Sequence, residues 1–380
     1  MSTKKFILFL LFLFLILAGA TAGFWYWYNQ QIVLKTTPAS NQPTAALPES
    51  LPVDAPFYPG TGSLPQSPKA VTPTVSLIAV GDIMLSRNVA QKIKSNQDYN
   101  YPFLKTADIL ANADLTFGNL ETAITLGRAI MTGEMYFRSD PTATAGLQYA
   151  GIDVVSLANN HSPNFGETGL KDTFKYLTAA GIDYVGAGTD KITAHTPVIK
   201  EVNGLKIAFL AYTADDVIPV NYQAGDARAG VAILDIPLMK EDVTKAKAQA
   251  DLVIVSMHAG VEYQALPSQS QINFARAAID AGASLVIGHH PHVVETLEHY
   301  KNGWIIYSLG NFVFDQMWSQ ETREGLIAKI FLDSQGVTSL EFIPVTIDDY
   351  SQPRLAEGIE KDVILKGLRF ELVEGKVLVK

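Results

Sequence analysis

The chain has no cysteine among its 380 residues. This absence excludes disulfide bonds, thiolate metal ligands, a cysteine nucleophile and a lipid anchor attached through cysteine. Charged residues make up only 18% of the chain, and acidic residues outnumber basic ones to give a formal net charge of −9. No basic stripe is present that would neutralise the phosphates of a nucleic acid, so we expect no nucleic-acid partner.

Motifs of three common enzyme classes are also absent from the sequence. There is no G-x-x-x-x-G-K-[ST] phosphate loop, no G-x-S-x-G turn and no G-x-G-x-x-G after a strand-like segment. The sequence therefore predicts neither an ATP-dependent ligase, nor a serine hydrolase, nor a dinucleotide-dependent enzyme.

An uncharged, apolar stretch follows Lys4 and Lys5 near the N-terminus. It covers Phe6–Tyr28, begins FILFLLFLFLILA and ends in the aromatic run FWYWY. About 20 apolar residues span a bilayer as a helix. Aromatic rings settle at the membrane interface, and lysines before such a helix stay in the cytoplasm. We therefore predict a single-pass membrane anchor in residues 1–35, with the rest of the chain outside the cell membrane.

A cleaved signal peptide is the alternative interpretation of this stretch. Ile7–Leu17 would be its apolar core, and the small residues AGA at 18–20 would be its cleavage site. The protein would then be secreted instead of anchored. Both interpretations export the remainder of the chain.

The segment 36–73 differs sharply in composition from the residues around it. Nine of the nineteen prolines fall here, mixed with Ser, Thr, Ala and Gln. Such a segment buries too little apolar surface to fold alone and favours an extended conformation. We predict a linker over 36–73 and one globular domain over 74–380.

Short apolar runs and helical patterns alternate in the globular part, which predicts an α/β fold with parallel strands. The strands are expected at Val75–Val80, Leu115–Phe117, Asp153–Leu157, Leu205–Tyr212, Leu252–Ser256, Leu285–Ile287 and Trp304–Tyr307. Helices are expected at Gly169–Ala180 and Ser268–Ala281, each followed by a glycine. Antiparallel strands are expected near the C-terminus, at Leu326–Leu332, Ser339–Ile347 and Phe370–Val379.

Polar residues stand where six of these strands end, and in open α/β folds the loops at strand ends converge on one crevice. Five of the seven histidines are among them. Taken singly, such residues also have structural interpretations, as helix caps, turn residues or packed side chains. The residues are Asp82, Asn119, Glu121, Asn160, His161, His258, His289, His290, His292 and Asn311.

The segment GHHPH at 288–292 is the strongest local signal. Three neighbouring imidazoles raise the cost of protonating one another, whereas a metal ion binds the neutral form. Together with the carboxylates and amides, they predict one or two divalent ions, Zn²⁺, Mn²⁺ or Fe²⁺. A pair of such ions deprotonates water and clamps phosphoryl oxygens, and a free histidine protonates a leaving alkoxide.

Six ordered segments carry a resemblance to a known family. They are VGDIMLSR at 80–87, FGNLET at 117–122, SLANNHSPNFGETGL at 156–170, SMHAGVEY at 256–263, IGHHPHVVE at 287–295 and IYSLGNFVFD at 306–315. In this order they resemble the CapA type of poly-γ-glutamate capsule-biosynthesis protein, a branch of the calcineurin-like metallophosphoesterase superfamily. The resemblance covers residues 75–315.

The resemblance implies a four-layer α/β/β/α sandwich with a metal site at the strand ends. It gives His161 the role of general acid or phosphate contact. Five further residues are expected to position ligands or substrate: Asn119, His289, Glu262, Asn311 and Asp315. It assigns metal binding to Asp82, Glu121, Asn160, His258, His290 and His292.

Two residues depart from the pattern of the superfamily. Its first motif is usually Asp-x-His, but here Met84 stands in the place of the histidine. Glu121 is longer than the usual bridging aspartate. Both a single ion and a second ion that arrives with substrate therefore remain compatible with the sequence.

Two functions follow from these expectations. The first is a membrane-anchored, extracytoplasmic, metal-dependent hydrolase or transferase that acts on an anionic cell-surface polymer or its carrier. The second is a non-catalytic subunit that binds polymer or partner subunits within a polymer synthesis and export complex. The complete set of His, Asp and Asn residues favours the enzyme, whereas Met84 favours the scaffold.

Overall fold

Two β-sheets with helices against their outer faces make up the part of the chain that the computed structural model describes, residues 73–131, 134–370 and 375–377. In chain order, the strands in these ranges are β1 (Val75–Ile83), β2 (Leu115–Leu120), β3 (Ala123–Ile124), β4 (Arg138–Ser139), β5 (Val154–Ser156), β6 (Asp183–Val185), β7 (Ala187–Gly188), β8 (Val198–Val202), β9 (Leu205–Thr213), β10 (Gly230–Val231), β11 (Leu252–His258), β12 (Leu285–His289), β13 (Leu297–Tyr300), β14 (Gly303–Ile306), β15 (Asn311–Val313), β16 (Glu324–Asp333), β17 (Gly336–Asp348), β18 (Gln352–Leu355) and β19 (Lys376–Val377).

The α-helices in the same ranges are α1 (Arg87–Asn96), α2 (Ala107–Ala111), α3 (Thr144–Tyr149), α4 (Gly166–Ala179), α5 (Lys191–Ala194), α6 (Ile236–Lys247), α7 (Gln269–Ala281) and α8 (Gly358–Gly367). Single turns of 3-10 helix lie at Tyr101–Phe103, Pro141–Ala143, Asp215–Val217, Val220–Tyr222 and Glu321–Arg323.

The larger sheet combines a parallel half with an antiparallel half. Its main path runs β18-β17-β16-β1-β2-β5-β6, with β15 beside β1 and β19 beside β17. Strands β1, β2, β5 and β6 are parallel, whereas β16, β17 and β18 are antiparallel. The sequence predicted this change towards the C-terminus.

The smaller sheet runs β13-β14-β12-β11-β9-β8. Its four central strands are parallel, and β8 and β13 close the two edges as antiparallel strands. Two further pairs, β7 with β10 and β3 with β4, lie outside the two main sheets.

Three buried clusters separate four layers of secondary structure. Alternate residues of a strand point to opposite faces of its sheet, so Leu77 and Ala79 of β1 pack towards the smaller sheet while Ile78 and Val80 pack towards the helices. A third cluster lies between the smaller sheet and helices α6 and α7. The layers follow the order α/β/β/α, and the predicted α/β fold class is confirmed.

The predicted helices have clear ends. Helix α7 starts after Ser268, whose side chain accepts from the backbone N–H of Gln271 in a reciprocal capping box, and ends at Gly282 with φ 115°. Helix α4 begins three residues earlier than predicted, at Gly166. Helix α8 was not predicted.

Several strands continue beyond their predicted ends and include the polar residues. Strand β1 reaches Ile83 because Asp82 pairs with Asn119 of β2 on one side and with Asn311 of β15 on the other. Strand β11 likewise reaches His258, which lies opposite His289 of β12. The register of the sheets therefore brings these polar side chains together.

The predicted N-terminal features lie almost entirely outside the described ranges. These features are the anchor in residues 1–35 and the linker in residues 36–73, of which only Pro73 is described. Of the predicted strand Phe370–Val379, the structure describes Phe370 and 375–377, with β19 at Lys376–Val377. None of the helices within the described ranges combines the length and the apolar content that a membrane span needs.

Candidate metal centre

The carboxyl ends of parallel strands from both sheets meet at one buried cluster of polar side chains. Asp82 and Asn119 come from the larger sheet, and His258 and His289 come from the smaller one. Gly81 allows β1 to pass close to the backbone of Gly310, since a Cβ atom at position 81 would lie 1.9 Å from the Gly310 carbonyl oxygen.

Asn119 connects the acidic side of the cluster. Its Nδ2 atom lies 2.8 Å from Asp82 Oδ1, 2.9 Å from Glu121 Oε1 and 3.3 Å from His258 Nδ1. Its Oδ1 atom accepts from Asn159 Nδ2 at 3.0 Å, which fixes the orientation of the amide. Asn119 thus contacts two carboxylates and an imidazole.

The histidines after β12 form the other side. His289 Nδ1 lies 3.3 Å from Asp82 Oδ1, and His292 Nδ1 lies 3.3 Å from Asp82 Oδ2. His290 packs its ring 4.7 Å from that of His258. The φ angles of His290 and His292 are 99° and 59°, a left-handed conformation that costs on the order of 1 kcal/mol each and concentrates at functional sites.

Two groups of potential metal ligands result from this arrangement. Asp82, Glu121 and His258 form one group, and His290, His292 and the exposed Glu262 form the other. Within each group, the ligand atoms lie within 4.8 Å of one another. Asp82 also contacts His292, so the two groups adjoin.

Burial and charge set the protonation of the acidic pair. Burial alone would raise the pKa of Asp82, but the His289 and His292 side chains hold that pKa well below its usual range. Burial and the charge of Asp82 raise the pKa of Glu121 well above its usual range. These surroundings therefore favour the ionised form of Asp82 and the protonated form of Glu121.

Burial likewise favours the neutral forms of His258 and His290. Burial, followed by the nearby His290, lowers the pKa of His258 well below its usual range. Burial and then His292 lower the pKa of His290 to about 4. Neutral imidazole is the form that binds a metal ion.

The residues present fit a divalent ion. Four buried atoms of the described cluster have no hydrogen-bond partner: Glu121 Oε2, both ring nitrogens of His289 and Nδ1 of His290. Leaving such atoms unpaired costs roughly 1–3 kcal/mol each, and an ion would satisfy those it contacts. Imidazole, carboxylate and amide donors suit Zn²⁺, Mn²⁺ and Fe²⁺.

Asn160 and His161 reach the cluster from the loop after β5. Asn160 Oδ1 lies 3.1 Å from His258 Nε2. His161 Nδ1 lies 3.0 Å from Asn164 Oδ1, which also accepts from the backbone N–H of Phe137 at 2.8 Å. Because that oxygen is an acceptor, His161 carries its proton on Nδ1 and leaves Nε2 unprotonated.

Packing keeps His161 in its neutral form. Its ring stacks on Phe137 with centroids 3.7 Å apart. Burial lowers the pKa of His161 to about 3, despite the opposing hydrogen bond with Asn164. The imidazole therefore needs a nearby negative charge before it can act as an acid.

Asn311 and Asp315 differ in their surroundings. Asn311 Oδ1 lies 3.0 Å from His292 Nδ1 and so positions a predicted ligand. Asp315 was expected to orient a histidine, but its carboxylate pairs with Arg87 and accepts from the backbone and side chain of Asn88. Arg87 provides the opposite charge that a buried carboxylate needs.

Sequence reasoning missed four residues that shape the centre: Arg87, Phe137, Asn159 and Asn164. The run Asn159-Asn160-His161 pointed to this loop, but the contact of Asn159 with Asn119 depends on the register of β2 and β5. Met84 is fully buried, and its sulfur accepts from the backbone N–H of Ser86.

Comparison with known proteins identifies relatives of this chain. The family model described as "Bacterial capsule synthesis protein PGA_cap" matches residues 76–316. The capsule biosynthesis protein CapA of Bacillus anthracis is 32% identical over 309 residues, which cover 79% of this chain and 74% of the relative. The PGA biosynthesis protein CapA of Bacillus subtilis (strain 168) is 32% identical over 310 residues, 80% of either chain.

Solved structures give weaker likenesses. A hypothetical protein from Thermus thermophilus has a TM-score of 0.49 at 15% identity, over 72% of this chain and 100% of that chain. The calcineurin-like phosphoesterase YfkN from Bacillus subtilis has a TM-score of 0.38 at 14% identity, over 79% and 96%. The family model and the two CapA relatives confirm the resemblance seen in the sequence: this chain belongs to the bacterial capsule synthesis protein family.

Proposed function

We propose that this protein is a metal-dependent hydrolase or transferase of capsule or poly-γ-glutamate biosynthesis that acts on an anionic cell-surface polymer or its carrier. The observation that carries the proposal is the pair of adjoining ligand groups at the strand ends. Buried atoms of these groups lack hydrogen-bond partners, which favours a functional ion site over a site that has lost metal binding. The names of the relatives support a role in capsule formation.

One or two ions of Zn²⁺, Mn²⁺ or Fe²⁺ would be held by the six residues that the resemblance assigns. When bound, such an ion lowers the pKa of a water molecule and polarises a phosphoryl oxygen. Asn119 and Asn311 keep the ligand side chains in place through their amides. The ligands are Asp82, Glu121, Asn160, His258, His290 and His292.

His161 supplies the proton in this proposal. Asn164 fixes the ring through Nδ1, so Nε2 is the atom that gains and gives the proton. The buried ring is neutral in the free protein, and an anionic substrate group beside it raises its pKa. Substrate binding therefore favours protonation of His161 at Nε2, and this proton is then transferred to the leaving oxygen.

A membrane location forms part of the proposal. The uncharged stretch Phe6–Tyr28 would anchor the chain, and the segment 36–73 would hold the metal centre away from the membrane on its outer side. Subunits for polymer synthesis and export would be its partners, because this chain has no phosphate loop for ATP. Cleavage of the stretch would instead give a secreted protein.

A non-catalytic polymer-binding subunit is the second candidate, and Met84 is the observation that favours it. Its sulfur is engaged by the Ser86 amide and lies in the apolar core. It stands where the superfamily usually supplies an imidazole, so the first ligand group has one ligand fewer.

Metal content and turnover of an aryl phosphate, measured on the same samples, test the proposal. His290→Ala removes a ligand, and His299→Ala is the matched control because His299 is an exposed histidine of β13. We expect stoichiometric metal and metal-dependent turnover in the wild type and the control, with loss of both in His290→Ala. Absence of metal after supplementation with zinc, manganese and iron would refute the enzyme, and metal without turnover would favour the polymer-binding subunit.

A further inference from the structure

Arg87 lies near two aromatic rings that contact His161 and His292 of the centre. It is the first residue of α1 and has a φ of 46°. Its guanidinium lies 4.5 Å from the ring of Phe137 and 5.8 Å from the ring of Phe314. Phe137 stacks on His161, and Phe314 lies 4.8 Å from His292, so one aromatic ring separates Arg87 from either histidine.

The guanidinium is held in place and only partly used. Its Nη2 atom pairs with Asp315, whose other oxygen accepts from Asn88 N at 3.2 Å and Asn88 Nδ2 at 3.1 Å. Its Nε atom is buried without an acceptor. The side chain is 22% exposed, which leaves the Nη1 edge as the part of the group that can meet a ligand.

We propose that Arg87 binds an oxyanion of the substrate, a phosphoryl or carboxylate group, beside the metal centre. The proposal deepens the proposed function and rests on it for the presence of substrate at this crevice. It assigns to Arg87 the recognition of charge, which is distinct from holding the ion or moving a proton.

Three physical arguments support this assignment. The chain has a net charge of −9, so a fixed cation beside the centre reduces the repulsion of an anionic substrate. Arginine presents several N–H donors in a rigid plane that matches oxyanions. Asp315 and Phe137 fix that plane in advance, so that little side-chain freedom is lost when the ligand binds.

A purely structural ion pair is the competing explanation, and the chain contains an example of one. Arg276 of α7 pairs with Glu298 at 2.7 Å and lies 5.1 Å from the ring of Tyr300. It therefore has the same kinds of neighbour as Arg87, a carboxylate and an aromatic ring. Arg276→Met is accordingly the matched control for Arg87→Met.

Calorimetric titration of the full-length, metal-supplemented protein with inorganic phosphate and, separately, with glutarate provides the test. We expect Arg87→Met to raise the Kd of at least one probe roughly ten- to hundredfold. Arg87→Lys should give an intermediate value, since lysine keeps the charge and loses the planar fork. Arg276→Met should leave both Kd values unchanged. The probe whose Kd rises more identifies the preferred anion as phosphoryl or carboxylate.

Asp315→Asn separates binding from structure. It removes the charge of Asp315 but keeps an amide oxygen that can accept from Arg87, so anion affinity should fall much less than in Arg87→Met. A structural role predicts that Asp315→Asn and Arg87→Met lose affinity and melting temperature alike, and that result would overturn the proposal. So would a wild type that binds neither probe. These titrations do not depend on turnover. A wild type without activity would therefore refute the proposed function, while the titrations would still decide the role of Arg87.

Discussion

Glu295 gives a prediction whose size follows from the structure. Its side chain is fully buried, three residues after the GHHPH segment. Its Oε2 atom accepts from Gln271 Nε2 at 2.8 Å, and its Oε1 atom has no partner. Burial raises the pKa of Glu295 from 4.5 to about 8, against the smaller opposing effect of Gln271.

The sign of the effect on stability follows from the two protonation states. Between pH 4.5 and pH 8, the unfolded chain has an ionised Glu295 while the folded protein keeps it protonated. The unfolded state therefore binds fewer protons, and stability falls as pH rises through this window. Each pH unit costs about 1.4 kcal/mol, so the loss from pH 5 to pH 7 is roughly 3 kcal/mol.

Glu295→Gln removes this dependence, because glutamine keeps an acceptor for Gln271 and cannot ionise. We expect the free energy of unfolding of the variant, measured in denaturant at several pH values, to exceed that of the wild type increasingly as pH rises from 5 to 7. Glu201→Gln is the control, since Glu201 is exposed on β8. Parallel pH profiles for wild type and Glu295→Gln would refute the reasoning.

Three further changes test the packing around the centre. Gly288→Ala should cost about 3 kcal/mol or more in denaturant unfolding, because its Cβ would lie 1.8 Å from the carbonyl oxygen of Tyr307; a loss below about 1 kcal/mol would contradict this packing. Phe137→Ala should lower kcat for an aryl phosphate about tenfold at unchanged metal content, because the ring that orients His161 is lost. Equal kcat values would show that the ring is dispensable. Asn119→Asp should lower the free energy of unfolding of the metal-free protein by roughly 3 kcal/mol, since it adds a carboxylate to two already buried there. The loss should be smaller once metal is bound. Denaturant unfolding with and without metal measures the difference, and equal losses would argue against an ion at this position.

The strands and most of the centre could be predicted because they depend on local patterns. Apolar runs of five to eight residues identified β1, β9 and β11, and polar residues at the ends of β1 and β11 indicated candidate ligands. The histidines of GHHPH are adjacent in sequence, so their clustering required no knowledge of the fold. Short strands such as β3 and β4, which have two residues each, form only through tertiary contacts and left no pattern to read.

The residues that organise the centre could not be predicted for the same physical reason. Arg87 and Asp315 are 228 positions apart, and nothing in either neighbourhood identifies the other as a partner. Asn164 is an ordinary loop amide until Phe137 and His161 are placed on either side of it. Side chains that act through contacts between distant segments become visible only when the sheets are assembled.

The origin of the candidate ligands in two different sheets has a consequence for the lifetime of the protein. Asp82 and Glu121 belong to the larger sheet and its following loop, and His258 and His290 belong to the smaller sheet and its following loop. A metal site formed by all four residues exists only while the two sheets remain packed. Metal binding would therefore stabilise the folded state by about 2.7 kcal/mol at a free metal concentration 100 times the Kd. Proteases cut chains that open transiently. The metal supply of its surroundings would then set how long each molecule survives, independently of whether it turns over substrate.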